Sequence, residues 1–259
     1  MKATKIIAVL AVALVAGTMG LTSCSKGKGG SGKVKGELLP EGNFKVELTE
    51  DGSGIILTDY DMKDWKKDDK GKYVKKDVRF PSTVQGLPVK KILFDASVSF
   101  KAAITGLVIP EGVEVVGGFN FSDLTFVSLP STLKALATSA FSTCRKLAVC
   151  NLPEGLEYIG YHAFESTALT SVSLPKSLKY IEYFPFYECN NLTEINIPEG
   201  FNAAFYSSSA EDAEMALTAF FRGDGIDKSL ALQKLVKETK IKVVKEDLDT
   251  EELYGFKNF

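Results

Sequence analysis

A solenoid of short parallel strands is the fold the sequence predicts, and three observations predict it. The first is a repeated phrase: Leu107-Val108-Ile109-Pro110, Val127-Ser128-Leu129-Pro130, Cys150-Asn151-Leu152-Pro153, Val172-Ser173-Leu174-Pro175 and Ile195-Asn196-Ile197-Pro198. The second is its spacing, with successive prolines 20, 23, 22 and 23 residues apart. The third is that aligning the coils on their prolines stacks apolar residues into columns. Val113/Val116, Leu133/Leu136, Leu156/Ile159 and Leu178/Ile181 make one pair of columns, and Phe121, Phe141, Phe164 and Phe186 a third. Ile104, Leu124, Leu147, Leu169 and Leu192 make a fourth. A fixed period in the low twenties marks a leucine-rich-repeat solenoid, here with coils of about 22–23 residues. No coil can bury its apolar face alone, so neighbours supply the core. Each phrase alternates apolar and outward residues, as a strand does. Its proline lacks a backbone donor and ends the strand. The expectation is a short parallel β-sheet along one side of the solenoid.

Composition sets the outer bounds. The 259 residues carry a formal net charge of −2, are 45% hydrophobic and 25% charged, and include one histidine. That is ample for a sizeable core, and it excludes a disordered or collagen-like chain. No basic stripe with interleaved aromatics suggests nucleic acid.

Residues 1–23 read as an export signal. Lys2 and Lys5 give a positive start, residues 6–15 are continuously apolar, and Leu21-Thr22-Ser23-Cys24 closes the segment. The apolar run is too short for a stable span. The closing tetrapeptide resembles the lipobox of bacterial lipoproteins at all four positions. The resemblance implies that Cys24 becomes the mature N-terminus and carries the lipid, so the chain is expected on a membrane of the bacterial envelope, the outer membrane first. Several acyl chains hold a protein where one does not. Residues 24–36 are rich in Gly, Ser and Lys and read as a flexible, positively charged tether.

Residues 37–80 are expected to form an N-terminal β-hairpin cap. Phe44-Lys45-Val46-Glu47-Leu48 alternates, a Gly-rich turn follows, and Ile55-Ile56-Leu57 returns. Solenoids need such covers on their open ends. Residues 81–200 are the repeats. After Pro198 the columns fail, and residues 201–259 read as a C-terminal α-helical and strand cap. Ser208 to Glu211 gives a capping box, Ala213, Ala216, Leu217 and Phe220 keep helical spacing, and Leu232, Leu235 and Val236 suggest a second helix before a strand at residues 241–244.

Phe80-Pro81-Ser82-Thr83-Val84-Gln85-Gly86-Leu87-Pro88-Val89-Lys90-Lys91-Ile92 resembles the first coil of BspA-like leucine-rich-repeat proteins. Ala140-Phe141-x-x-Cys144-x-x-Leu147 and Pro185-Phe186-x-x-Cys189-x-x-Leu192 resemble that family's Ala-Phe-x-x-Cys-x-x-Leu signature. Ala163-Phe164 matches too, with Thr167 in place of the cysteine, and the coil after Pro110 is shorter with Asn120-Phe121 for Ala-Phe. The resemblance covers about residues 80–200. It implies a secreted or surface protein; several members of the family are adhesins.

Chemistry-bearing residues are sparse. His162 aligns with Ser139 and Phe184 at a turn, with no nucleophile or orienting acid gathered around it in the repeat. No phosphate-binding loop, dinucleotide fingerprint or zinc motif is present, so no cofactor and no metal are expected. Cys144 and Cys189 sit two coils apart, about 10 Å, too far for a disulfide. Cys150 falls in the inward strand column, and all three thiols read as small packing residues. The chain is expected not to be an enzyme.

Recognition therefore falls to the outward positions. Gly106, Phe126, Val149, Ser171 and Glu194 form one outward column; Val108, Ser128, Asn151, Ser173 and Asn196 form the other. Tyr158, Tyr161, Tyr180 and Tyr183 form an aromatic group across two coils, either a contact patch or a cover for the core. The first functional reading is a lipid-anchored, non-catalytic envelope protein that captures a protein or glycan through its repeat surface. The second is a periplasm-facing accessory lipoprotein packed against an envelope complex. Ser25-Lys26-Gly27-Lys28 departs from the acidic run that resembles a surface-export signal, so both faces stay open, as does oligomeric state.

Overall fold

The computed structural model describes residues 36–94, 98–206, 242–244 and 249–255. The export segment with Cys24, nearly all of the tether and the helices expected between residues 208 and 236 lie outside the described residues. The described residues all fall in one compact unit. Its strands in chain order are β1 (Glu37–Leu38), β2 (Phe44–Leu48), β3 (Ile55–Tyr60), β4 (Lys76–Arg79), β5 (Thr83–Val84) and β6 (Leu87–Leu93). Helix α1 (Val98–Ala103) follows, which the repeat alignment does not anticipate. The coils then give β7 (Ile104–Val108), β8 (Val115–Gly117), β9 (Phe126–Ser128), β10 (Ala135–Leu136), β11 (Val149–Cys150), β12 (Tyr158–Ile159), β13 (Ser171–Ser173), β14 (Tyr180–Ile181) and β15 (Glu194–Asn196). Last come β16 (Ala204–Tyr206), β17 (Lys242–Val244) and helix α2 (Thr250–Tyr254).

Two sides of the coil carry parallel strands, where the sequence suggested one. The proline-ended phrases build the first sheet, ordered β1-β4-β7-β9-β11, and β13 pairs with β15 in the next two coils. A second sheet, ordered β17-β16-β14-β12-β10-β8-β6-β3-β2, runs along another side. From β8 to β16 its strands are only two or three residues long, too short to show an alternating pattern. They hold because every coil repeats the same backbone bonds: Lys134 N donates to Glu114 O at 2.8 Å, Glu157 N to Lys134 O at 2.8 Å, and Lys179 N to Glu157 O at 2.8 Å. β2 and β3 are antiparallel, and β3 joins β6 in parallel, which docks the hairpin onto the end of this sheet. The failure of the columns after Pro198 is corrected: β16 pairs in register with β14, Ile181 opposite Phe205, and β17 pairs with β16.

The core is a set of ladders. Val116, Leu136, Ile159 and Ile181 stand in register and are buried. The phenylalanine column is Phe119, Phe141, Phe164 and Phe186, all buried, with centroids 6.0, 5.6 and 5.4 Å apart. Phe119 replaces the expected Phe121, which is 67% exposed. Val116 and Phe119 are three residues apart where Leu136 and Phe141 are five, so an alignment on prolines slips by two at this turn. Burying each ring is worth about 1.5–3 kcal/mol. Toward the N-terminus the column merges with Phe94 and then Phe100, whose ring meets those of Phe80, Tyr60 and Trp65.

The turns on the third side hold non-glycine residues at positive φ. Ser139, His162 and Phe184 share one such position (53°, 55° and 54°), and Phe121, Thr143, Ser166 and Glu188 another (59°, 59°, 51° and 55°). The left-handed region costs a side-chain-bearing residue roughly 1–2 kcal/mol. Bonds to the next coil offset it, among them Ser139 N to Tyr161 O at 2.8 Å and Thr143 N to Glu165 O at 2.7 Å.

Candidate functional site

Alternation along the first sheet turns Leu107, Val127, Cys150 and Val172 inward, where all are buried. The intervening residues must therefore face out. Ser128, Asn151, Ser173 and Asn196 are exposed in successive coils. Asn196 Nδ2 donates to Glu194 Oε1 at 3.0 Å and reaches Ser173 Oγ at 3.4 Å, so the C-terminal half of this face is a small polar array. The N-terminal half is apolar. Val149 is 54% exposed, and the Phe126 ring lies across Gly106, where an added Cβ would come within 2.2 Å of it. Between β11 and β13 the first sheet is interrupted while the second runs on.

The four tyrosines do not form one patch. Tyr158 is fully buried on the outward side of the second sheet, with Val115 and Ala135 as in-register neighbours. Tyr254 of α2 covers it, centroids 5.4 Å apart, so Tyr158 is removed from the candidate contacts. Tyr180, its neighbour on β14, is half-buried against the same cluster. α2 is held by its own ends: Glu252 N donates to Asp249 Oδ1 at 2.9 Å, Gly255 closes it at φ 63°, and Lys91 Nζ donates to Gly255 O at 2.7 Å. Burial beneath this helix pushes the Lys91 ammonium below its usual pKa.

Tyr161 and Tyr183 do come together, rings parallel within 8° and centroids 6.0 Å apart. His162 stacks on Tyr161 at 3.9 Å, and Phe184 lies tilted against Tyr183 at 3.8 Å, with Tyr187 beside both His162 and Phe184. Burial, then the neighbouring Tyr183, pushes the Tyr161 phenol upward. This is an aromatic ledge at the turn that leaves the second sheet.

No hydrolytic constellation arises from these groups. His162 Nδ1 lies 2.6 Å from Glu165 Oε2, which also accepts from Ser142 Oγ at 3.0 Å. A carboxylate only accepts, so Nδ1 carries the proton, and Nε2 is buried without a hydroxyl beside it. The thiols are no better placed. Cys144, Cys150 and Cys189 are free and buried, and burial raises all three, Cys150 to about 12. A thiol held protonated is a poor nucleophile.

A cavity of about 610 Å³ lies between the Thr49–Ser53 turn and α2. Its floor is a column of alternating charge, Lys90, Glu114, Lys134 and Glu157, one residue per coil, which Lys179 continues beyond the cavity. Lys90 pairs with Glu114 at 2.7 Å, and Glu157 with Lys179 at 2.7 Å and Lys134 at 3.6 Å. These charges satisfy one another along the sheet and leave little to recognise a ligand. Among the described residues no group of acids, histidines and cysteines could hold a metal.

Stacked coils with parallel strands on two sides and a phenylalanine ladder inside define the class: a leucine-rich-repeat solenoid. Residues 97–217 match the BspA type leucine rich repeat region in six copies. Among solved structures, a leucine rich repeat protein of T. pallidum is similar at 23% identity and a TM-score of 0.54, over 82% of this chain and 100% of that one. A leucine-rich repeat protein from Bacteroides ovatus is similar at 20% identity and a TM-score of 0.49, over 63% of this chain and 42% of that one. No curated protein matches the chain. The matching family is one of repeats, not a catalytic one.

Proposed function

We propose that this chain is a lipid-anchored, non-catalytic protein of the bacterial envelope that captures a protein or glycan on the outer face of its first sheet. The observation that carries the reading is the exposed column Ser128, Asn151, Ser173 and Asn196, four short polar side chains at the spacing of the coils. Short side chains lose little rotamer freedom on contact, and repeat arrays offer extended faces of this kind. The Tyr161–Tyr183 ledge supplies rigid area at a neighbouring turn. Cys24 is the proposed lipid attachment. Its replacement by alanine is expected to move the protein to the soluble fraction, and unchanged membrane partition would exclude the anchor.

A photoreactive side chain at Asn151, with a control at Lys179 on the other sheet, tests the binding face in living cells. A crosslinked product from position 151 alone supports the reading; equal products from both positions exclude it. The basic start of the tether, Ser25-Lys26-Gly27-Lys28, favours a second reading in which the solenoid faces the periplasm as an accessory subunit. Protease treatment of intact cells separates the two, since only an outward-facing solenoid is digested.

A further inference from the structure

Phe121 is the most exposed of the large apolar side chains described, and it holds the left-handed φ of 59°. The coils behind it place Thr143, Ser166 and Glu188 at the same turn position, so neither packing nor backbone geometry calls for an aromatic there. Around it the surface is basic. Phe121 N donates to Ser142 O, which brings its turn against the one carrying Arg145 and Lys146, both exposed. Asp123, two residues on, accepts from Lys146 Nζ at 2.6 Å and from Lys75 Nζ, so one carboxylate serves two ammonium groups and Arg145 adds to the surplus. Val74, next to Lys75, is 45% exposed.

These residues share one rim. The five strands of the first sheet are parallel, and Lys75, Asp123 and Lys146 each lie just ahead of one of them, β4, β9 and β11. Gly36 leads into β1 beside Val78 and Arg79, its carbonyl accepting from Arg79 Nε at 2.7 Å. Because β1 is parallel to β4, the chain enters β1 running from the side on which Lys75 stands. Twelve residue steps separate Cys24 from Gly36, a reach of at most about 40 Å.

We propose that this rim rests on an anionic lipid surface, Phe121 entering the headgroup boundary while Arg145, Lys146 and Lys75 meet the phosphates. An aromatic side chain ringed by cations is the pairing that such an interface favours. The contact fixes the tilt of the solenoid and turns the opposite rim of the first sheet, where the prolines lie, away from the membrane. Its biology rests on the lipid-anchored reading, but its test does not.

The test uses residues 25–259, made without the signal or lipid, sedimented with vesicles of phosphatidylcholine containing phosphatidylglycerol or with phosphatidylcholine alone. Sedimentation is expected only with the anionic vesicles and is expected to weaken as salt rises. Phe121→Thr, the residue found at Thr143, is expected to keep the wild-type melting temperature and lower partition about tenfold. Arg145→Ser and Lys146→Ser are expected to lower it about fivefold each. Equal binding to both vesicle types, or to neither, overturns the proposal. Anionic binding that all three variants leave unchanged also overturns it; that pattern assigns the attraction to the tether lysines and the Phe121 rim to an acidic protein partner. Failure of the lipid anchor itself would appear instead in the Cys24→Ala fractionation.

Discussion

Ser122 Oγ and Cys144 Sγ lie 3.0 Å apart in adjacent coils, both side chains buried, and Thr167 Oγ1 and Cys189 Sγ repeat the contact at 3.2 Å in the next pair. Each thiol also donates to a carbonyl of the Phe ladder, Cys144 to Phe119 O at 3.2 Å and Cys189 to Phe164 O at 2.9 Å. Hydroxyl coils run two residues to the next column leucine, Ser122 to Leu124 and Thr167 to Leu169; thiol coils run three, Cys144 to Leu147 and Cys189 to Leu192. The interruption of the first sheet between β11 and β13 falls between these two pairs. The C-terminal coils are thus built in twos. Ser122→Ala is expected to cost about 1 kcal/mol in urea unfolding. A double-mutant cycle with Cys144→Ala is expected to return a coupling of about 0.5 kcal/mol or more. Zero coupling would reduce the pairing to coincidence of packing.

Phe119 and Phe121 are two residues apart and opposite in consequence. Phe119→Ala removes a buried ring between Phe94 and Phe141 and is expected to cost about 3–5 kcal/mol. Phe121→Ala removes an exposed ring and is expected to stay within about 0.5 kcal/mol. Chemical denaturation of both variants checks the order. Equal losses would restore the register read from the prolines.

That reversal shows where the sequence was legible. Columns such as Val116, Leu136, Ile159 and Ile181 could be read because each coil repeats an apolar residue that only the interior accommodates. The outward column Ser128, Asn151, Ser173 and Asn196 followed from alternation alone, which depends on nothing beyond the strand. Phe119 was hidden by a local deletion of two residues. The second sheet was hidden by strands as short as Ala135–Leu136, which show no period. Tyr158 was misplaced for a different reason: its burial is set by Tyr254, 96 residues further along, and no local pattern encodes that contact.

Tyr254 accordingly acts on a face it does not belong to. With Lys91 donating to Gly255 O, α2 shields Tyr158, Val115 and Ala135 from water. Tyr254→Ala is expected to lose the ring pair, about 0.5–1.5 kcal/mol beyond the lost area. Hydrogen exchange is expected to quicken in β10 and β12 and to hold steady in β9 and β11. Uniform quickening across both sheets would mean that the helix supports the whole solenoid and not this face.

Asp51 offers a pH-dependent check on the turn that closes the β2–β3 hairpin. Its Oδ1 accepts from Thr49 Oγ1 at 2.7 Å and from Ser53 N at 3.0 Å, and the Thr49 bond, then the Ser53 bond, lowers its pKa from 3.8 to about 2. A carboxyl with a depressed folded pKa stabilises the fold above its unfolded value and loses that contribution as pH falls through the folded one. The turn is therefore expected to be fully tied above pH about 4 and to loosen only as pH approaches 2. Following the Asp51 carboxyl by NMR gives the midpoint directly. Thr49→Val, which removes the leading donor and keeps the shape, is expected to move that midpoint up toward 3.8. A wild-type midpoint near 3.8 would mean that the hydroxyl prefers its other partner, Gly54 O at 3.1 Å, and leaves the carboxylate to solvent.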